Sequence, residues 1–215
     1  GGDTWNKTLI WECPYPLFNP AEPFETDTFY CVDGAHHLAF DSEGIVHVVF
    51  GIGLAYATTE GTYWGSLTDG LGYWNETRPT FSNSMEALNP YGEPGSELEE
   101  NFSLIGWMQD VNGNDTLDIL LDVGYYYVGA SSMPQILITN EDELYVVYSS
   151  VSENYNNSLQ NYRHLWARYS PNGDFWGKFV DLNAELIHTL DECVFPSLAS
   201  KSDDYFYLIY QTDEL

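Results

Sequence analysis

The stretch "PQILITNEDELYVVY", Pro134 to Tyr148, contains the structural unit from which much of the chain is built. A short apolar run, a polar turn and a longer apolar run follow one another, which is the pattern of a β-hairpin. Two other stretches align with it without gaps: "HHLAFDSEGIVHVVF", His36 to Phe50, and "PSLASKSDDYFYLIY", Pro196 to Tyr210. The sequence therefore predicts the same hairpin three times.

The second strand of each hairpin is apolar at successive positions. In Leu144 to Tyr148, neighbouring side chains point to opposite faces of the sheet and none is charged. A strand with one solvated face would alternate apolar with polar residues. Burial of both faces predicts sheets stacked on either side, an environment that the blades of a β-propeller provide.

A second repeated element follows the first two hairpins. "WGSLTDGLGYW", Trp64 to Trp74, and "WARYSPNGDFW", Trp166 to Trp176, both begin and end with Trp and carry Gly in the middle. This pattern indicates a strand, a turn and a further strand. Each full unit then has four strands, and we assign blades to residues 36–76 and 134–182.

The prediction for the whole chain is an all-β fold, a partial β-propeller with about three blades of four-stranded antiparallel sheet. Residues 1–35 lead into the first blade, 77–133 form an insertion, and 183–215 begin a further, truncated blade. A closed propeller needs at least about four blades, so we expect the chain to be part of a longer protein. The alternative is a β-sandwich made of hairpins.

The charge distribution excludes some partners. The net charge is -27, and the chain has only six basic residues. Nucleic-acid binding depends on Lys and Arg to neutralise phosphates, so we expect no nucleic-acid partner. No apolar run reaches about 18 residues, so we expect no membrane insertion. The three cysteines, Cys13, Cys31 and Cys193, permit one disulfide and leave the pairing open.

One acidic loop has the composition of a calcium site. "QDVNGNDTLDI", Gln109 to Ile119, places oxygen-bearing side chains at alternating positions. Calcium prefers six to eight oxygen ligands on a tightly curled backbone. The predicted ligands are Asp110, Asn112, Asn114, the carbonyl of Thr116, and Asp118. Apolar runs on both sides predict that the loop joins two paired strands, and the alternative is an Asn/Gly/Asp turn without an ion.

No catalytic set emerges from the sequence. His47 takes the position of a Tyr in the other hairpins and is interpreted as a packing residue, while His36 and His37 should project to opposite faces. The repeated Trp residues are likewise interpreted as packing. Tyr125, Tyr126 and Tyr127 follow the acidic loop, lie outside the repeat and are the predicted ligand-contact residues.

Two family resemblances accompany these patterns. The loop at Asp110 to Asp118 resembles the calcium hairpins of FG-GAP propellers, except that Asp115 stands where that family usually has Gly. The runs "GWMQDVNGNDTLDIL", "NYRHLWARYSPNGDFWGKFVDL" and "ECVFPSLASKSDDYFYLIYQTDE" resemble the sialidase-like, BNR-type propellers of Bacteroidota. That resemblance implies export by type IX secretion and a secreted or cell-surface location.

The sequence thus favours a calcium-stabilised propeller that binds a glycan or a surface protein without catalysis. One alternative is a sialidase-type glycoside hydrolase with part of its site outside this chain. Such a site needs three arginines around the substrate carboxylate, and the chain has only Arg78, Arg163 and Arg168. The other alternative is a structural surface or adhesin component.

Overall fold

Strands dominate the computed structural model, which describes residues 6–65, 67–92, 94–201 and 205–214. Within these ranges it contains one α-helix of four residues, Glu97–Glu100, and one 3-10 helix, Leu186–His188. The apolar runs form the strands because β-branched and aromatic side chains pack well on a pleated surface. The prediction of an all-β fold is confirmed.

The first sheet is an antiparallel meander in the order β1-β2-β4-β5, with β3 paired to the far half of β2. Its strands are β1 (Phe29–Phe40), β2 (Val46–Thr58), β3 (Gly61–Gly65), β4 (Leu71–Asn75) and β5 (Leu104–Gly106). Strand β1 therefore begins seven residues before the predicted blade boundary at residue 36.

Strands β3 and β4 are two halves of one interrupted strand. Leu54 of β2 lies opposite Gly65, and Gly51 lies opposite Leu71, so both halves run along the same edge of β2 in the same direction. The hairpin predicted between the two Trp residues of this segment is therefore wrong. Residues 67–70 leave the sheet because Asp69 is buried and hydrogen-bonded to distant parts of the chain.

The second sheet repeats the meander in the order β7-β8-β9-β10, with β6 parallel to the start of β9. Its strands are β6 (Asp122–Val123), β7 (Ser131–Ile138), β8 (Leu144–Asn156), β9 (Gln160–Ser170) and β10 (Val180–Asp181). Strands β7 to β10 form an antiparallel meander of four strands over residues 131–181, and β6 adds a fifth strand to the sheet. However, Trp176 lies in the loop before the fourth strand and not in that strand.

The third sheet is a hairpin of β11 (Asp191–Leu198) and β12 (Leu208–Glu214). Part of its predicted polar turn, residues 202–204, lies outside the described residues. All three predicted hairpins are antiparallel and share one register. The equivalent cross-strand pairs are His37 with Val49, Gln135 with Val147, and Ser197 with Ile209.

A register shift recurs just before this pair in every hairpin. Gly34, Met133 and Phe195 adopt positive φ angles of 95°, 54° and 53° at the shift. Positive φ is unusual for Met and Phe, so the surrounding structure must impose it. Neighbouring bulges also touch, since the Phe195 N–H donates to the Met133 sulfur at 3.4 Å. The bulge is therefore part of the repeat.

The three sheets stack face to face, and β8 lies in the middle. The cluster between the first and second sheets comprises Val49, Leu71, Tyr73, Ile105, Ile136, Leu144, Val146, Tyr148 and Trp166. The cluster between the second and third comprises Leu137, Val147, Leu165, Cys193 and Leu198. Val146 faces one cluster and Val147 the other, and both are buried. The predicted two-sided burial of this strand is confirmed.

The outer faces of the stack differ. Phe50, Ile52 and Trp74 on the first sheet are covered by residues of the segment that follows β4 and by Ile10 and Trp11 of the N-terminal segment. The third sheet has no such cover among the described residues, and Ile209 of β12 is 75% exposed.

The segment predicted as an insertion, residues 77–133, is not an independent hairpin. Its strand β5 completes the first sheet and β6 joins the second, so the two strands flanking the acidic loop pair with different partners. The prediction that they pair with each other is wrong, because each finds an edge of a larger sheet. Cys13, Cys31 and Cys193 are all free thiols.

Candidate functional site

The three consecutive tyrosines divide between surface and interior. Tyr125 and Tyr127 are 52% and 74% exposed, and their rings meet edge to face with centroids 4.5 Å apart. Tyr126 turns inwards, with its ring 5.4 Å from that of Phe195. Tyr127 has a φ of 60°, a left-handed conformation that is unusual for an aromatic residue. Two of the three predicted contact residues therefore face solvent.

Tyr125 and Tyr127 form one wall of a surface cleft of about 320 Å³. The other walls come from β1, β2 and β3 of the first sheet and from the segment before β7. The remaining lining residues are Val32, Asp33, Gly34, Gly53, Leu54, Trp64, Gly65 and Val128. Most of this lining is apolar, so the cleft offers aromatic and aliphatic surface to a ligand.

A second hollow of about 380 Å³ continues from the first and shares Leu54, Trp64, Tyr125 and Tyr127 with it. Tyr56 and Tyr63 extend it along the sheet.

The rings of Tyr56 and Tyr63 lie opposite each other across β2 and β3 and stack at 5.1 Å with an angle of 14°. Both are 41% exposed. The two hollows, which we call the aromatic cleft, thus present two aromatic stations side by side.

The sequence did not identify Tyr56, Tyr63 and Trp64 as site residues. Trp64 was interpreted as packing because Trp recurs at the ends of both Trp-bounded segments. Trp74 and Trp166 are indeed buried, whereas Trp64 is 56% exposed at the rim of the cleft. The difference arises because Trp64 lies on β3, whose pairing is with β2 alone. The sequence around Gly61 has no pattern that separates these exposed aromatic residues from buried ones.

Asp33 supplies the carboxylate on the cleft wall, but its oxygens are engaged. They accept hydrogen bonds from the Gly129 N–H at 2.8 Å, the Ala35 N–H at 2.9 Å and the Ser132 hydroxyl. Desolvation raises the pKa of Asp33, against the effect of these donors and of the positive charge of Arg163. The residue therefore anchors the bulge of β1 to the second sheet.

Arg163 lies beneath this wall in a buried polar centre, with only 1% of its surface exposed. Its guanidinium donates to the carbonyls of Ala130 at 2.8 Å and Gly129 at 3.1 Å. The carboxylate of Glu192 accepts the Arg163 backbone N–H at 2.6 Å, and desolvation raises the pKa of Glu192. We call this group, with Asp33, Asp69 and Tyr126, the arginine centre.

The side chain of Tyr126 joins the arginine centre from the cleft side. Its ring lies 5.8 Å from the Arg163 guanidinium carbon, a cation–π distance. Burial and the neighbouring Glu192 carboxylate raise the pKa of Tyr126 to about 12, so its hydroxyl keeps its proton at neutral pH.

Asp69 connects the arginine centre to the first sheet. Its carboxylate accepts the Met108 N–H at 2.9 Å and the Ser131 hydroxyl at 2.6 Å. Desolvation raises the pKa of Asp69 to about 6, even though those hydrogen bonds and Arg163 favour the charged form. The few buried charged groups of the arginine centre thus connect the first, second and third sheets.

The three arginines do not converge on a common point. Arg78 donates to the carbonyls of Asn101 at 2.8 Å and Gly173 at 2.9 Å. Arg168 donates to those of Ile105 at 2.7 Å and Trp176 at 2.9 Å. Each guanidinium therefore ties loops or strands together through backbone carbonyls.

The histidines follow the sequence interpretation in part. His36 is exposed and His37 half-buried, on opposite faces of β1 as predicted. His47 is buried in the core, but it also hydrogen-bonds through Nδ1 to the Tyr73 hydroxyl at 2.7 Å and through Nε2 to Asp41 at 3.3 Å. His47 therefore packs in the core, as interpreted, and its two ring nitrogens also form hydrogen bonds there.

The acidic loop is curled around Asp110. Its carboxylate accepts the backbone N–H groups of Gly113 at 2.6 Å and Asp115 at 2.7 Å. Desolvation would raise the pKa of Asp110, but these hydrogen bonds outweigh it and hold the pKa below its usual value. Asp115 adopts a φ of 63°, the left-handed conformation that Gly would supply in the resembling loops and that Asp tolerates.

The remaining predicted ligands gather around Asp118. Its carboxylate accepts the side-chain amides of Asn114 at 2.9 Å and Asn112 at 3.4 Å. The Thr116 N–H donates to the Asn114 side chain at 2.9 Å. The carboxylate and amide oxygens of the loop, which are of the kind that calcium binds, therefore lie close together. In this structure they accept hydrogen bonds from within the loop.

Glu153 is the residue of this region that the sequence missed. It is fully buried on β8, and its two oxygens accept the backbone N–H groups of Asn112 at 2.7 Å and Asp118 at 3.0 Å. In sequence it is one acid 35 residues away from Asp118, and nothing local marks it. In the described part of the chain, His, Cys, Asp and Glu side chains nowhere form a group of three or more that could hold a metal alone.

Among the residues that the structure describes, every helix falls short of the length and apolarity needed to cross a bilayer. Comparisons with protein-family models, curated proteins and solved structures find no match to this chain.

Proposed function

We propose that this protein is a secreted or cell-surface β-propeller segment that binds glycans in the aromatic cleft without catalysis. The observation that carries the proposal is the exposure of Tyr125 and Tyr127 on one wall of a 320 Å³ cleft. The volume lies within the range of about 300–1,000 Å³ that is usual for small-ligand pockets.

Exposed aromatic rings suit a sugar ligand for a physical reason. One face of a pyranose ring presents only C–H groups, and a Tyr or Trp ring can cover it while the sugar hydroxyls remain in water. Tyr and Trp provide this area with few rotatable bonds, so little conformational entropy is lost on binding. The stacked pair of Tyr56 and Tyr63 beside the first station favours a chain of sugars over a single one.

The repeated architecture supports the propeller part of the proposal. Two four-stranded meanders and a third hairpin stack face to face, and all three hairpins share one register and one bulge. Consecutive blades of a propeller have this relation to one another.

Calcium is proposed as a structural ion in the acidic loop. Asp110, Asn112, Asn114, Asp118 and the Thr116 carbonyl would hold it, with buried Glu153 fixing the backbone of the loop. The ion would neutralise carboxylates in a chain of net charge -27 and tie the crossover between the first two sheets.

A sialidase-type hydrolase remains the second candidate. It is favoured by one observation, the proximity of the Tyr126 hydroxyl to the Glu192 carboxylate, because such enzymes use a Tyr nucleophile with a Glu partner. The non-catalytic role is preferred because Glu192 is only 3% exposed and the three guanidinium groups bind backbone carbonyls.

The proposal is tested by affinity electrophoresis against a panel of polysaccharides, followed by calorimetry on each one that binds. We expect binding to fall at least about tenfold in Tyr127→Ala and Tyr125→Ala. Phe175→Ala, which removes a ring that is 73% exposed elsewhere, should bind as the wild type does.

No binding to any glycan, or equal loss in Phe175→Ala, would reject the glycan-binding role. Turnover of fluorogenic sialosides would instead favour the hydrolase.

A further inference from the structure

We infer that the aromatic cleft selects uncharged glycan chains and excludes those carrying carboxylate or sulfate groups. This inference rests on the proposed glycan-binding function and specifies the chemical class of its ligand. It follows from the placement of every cation in the chain.

The six basic residues leave the cleft without a cation. Arg163 is buried beneath it, and Arg78 and Arg168 are held by carbonyls between the first two sheets. None of Lys7, Lys178 and Lys201 lines either hollow. Proteins that bind acidic sugars hold the anion with Arg or Lys, commonly through bidentate Arg contacts. This cleft has no such group to offer.

The ionisable residue that the cleft does contain is Asp33, a carboxyl group. Three hydrogen bonds hold this carboxyl group in the wall, and it brings no positive charge that could attract an anionic sugar. The protein around the cleft carries a net charge of -27, and its field repels an approaching anion. Aromatic stacking does not depend on ligand charge, so a neutral chain keeps the full attraction.

Repulsion of this kind is screened by salt. The Debye length is about 10 Å at 0.1 M ionic strength and about 3 Å at 1 M. Exclusion of anionic chains should therefore weaken as salt is added, whereas binding of neutral chains should hardly change. Exclusion by shape would be independent of salt, which separates the two causes.

The test uses matched oligosaccharides of five or six sugars with one backbone and two charge states. Cello-, xylo-, laminari- and malto-oligosaccharides are each compared with a form carrying uronate groups made by C6 oxidation or, for the xylan, 4-O-methylglucuronic acid branches. Calorimetry is run at 20 mM and at 500 mM NaCl. We expect at least one neutral chain to bind, its charged form to bind about tenfold or more weakly at low salt, and the gap to narrow at high salt.

A gain-of-charge variant provides a second measurement. Thr62 lines the second hollow, and Thr62→Lys should recover part of the binding to the charged chain, at least about threefold relative to Thr62→Gln, which adds length without charge.

Equal or tighter binding of the charged chain would overturn the inference and leave glycan binding in place. The inference would also be overturned if the difference in affinity between the neutral and the charged chain were independent of salt and unchanged in Thr62→Lys. Binding of neither form by any backbone would reject glycan binding itself.

Discussion

Tyr126 and Tyr127 are neighbours in the chain, yet they belong to two regions of opposite character. Tyr126 enters the arginine centre, where Arg163 and Glu192 are 1% and 3% exposed. Tyr127 stands in the aromatic cleft with 74% of its surface exposed. In these two regions the charged groups are buried and the aromatic rings are exposed, which reverses the usual distribution of these side chains.

The reversal indicates what each region does. Buried charges require partners, and here the guanidinium binds backbone carbonyls while the carboxylates accept backbone N–H and hydroxyl groups, contacts that fix how the three sheets meet. Exposed aromatic rings gain nothing for the folded state and retain free surface for contact. Substitutions in the two regions should therefore affect different measurements.

The largest effect is expected for Arg163→Met. The change removes two hydrogen bonds to carbonyls and leaves Glu192 and Asp69 buried without their compensating charge. Breaking a buried charge network typically costs about 3–5 kcal/mol. Urea unfolding at pH 7 measures this loss, and Lys178→Met, which removes an exposed cation, should change the free energy of unfolding by less than about 0.5 kcal/mol. A loss below about 1 kcal/mol in Arg163→Met would mean that the centre is not structural.

The next largest effect is on the pH dependence of the free energy of unfolding, and it comes from Asp69. The pKa of Asp69 is raised from 3.8 to about 6 in the folded protein. Well below pH 3.8 the carboxyl is protonated in both states, and its contribution to stability is complete. As pH rises to 6 the unfolded chain releases its proton first, so that contribution is lost.

A shift of this size corresponds to about 3 kcal/mol. Asp69→Asn cannot titrate, so from pH 3 to pH 7 the wild type should lose about 3 kcal/mol more unfolding free energy than the variant does. Urea unfolding at intervals of one pH unit measures the difference. Asp33 and Glu192 titrate in both proteins and cancel. Parallel pH profiles would contradict the raised pKa.

The sequence predicts features that depend on residues close together in the chain. The hairpins, their shared register and the two-sided burial of β8 follow from local apolar patterns, and the structure has them. The curl of the acidic loop follows from its local spacing of Asp, Asn and Gly residues, and the structure adds that Asp115 is left-handed.

What the sequence could not reveal depends on distant contacts. The break between β3 and β4 is held by Asp69, whose partners Met108 and Ser131 lie 39 and 62 residues away. Glu153 supports the acidic loop from β8 without any local signal. Trp64 is exposed because of its strand's position at a sheet edge, which no residue pattern near it specifies. The cleft therefore had to be found in three dimensions.

A smaller effect is expected from calcium. Calcium that binds only to the folded state raises the melting temperature. Calcium at a millimolar concentration, in excess of the Kd of a weak site, should raise it by about 5 °C. Asp110→Asn should abolish the shift, because its carboxylate lies at the centre of the loop. Glu141→Gln, at an exposed acid in the β7–β8 turn, is the matched control and should keep it.

Scanning calorimetry with calcium and then with a chelator gives the measurement. An absent shift in the wild type would remove the metal from the proposal and leave the aromatic cleft unaffected.

The smallest effect on stability is expected in the cleft itself. Tyr127→Ala removes an exposed ring and one edge-to-face contact with Tyr125, so the free energy of unfolding should change by less than about 1 kcal/mol. Tyr126→Ala, one position earlier, removes the ring that packs on Phe195 and Arg163 and should destabilise the protein by about 2–4 kcal/mol. Urea unfolding and glycan titration on both variants separate the regions. Equal destabilisation by Tyr127→Ala and Tyr126→Ala would mean that the ring of Tyr127 contributes to the core. The argument that this ring is exposed in order to bind a ligand would then fail.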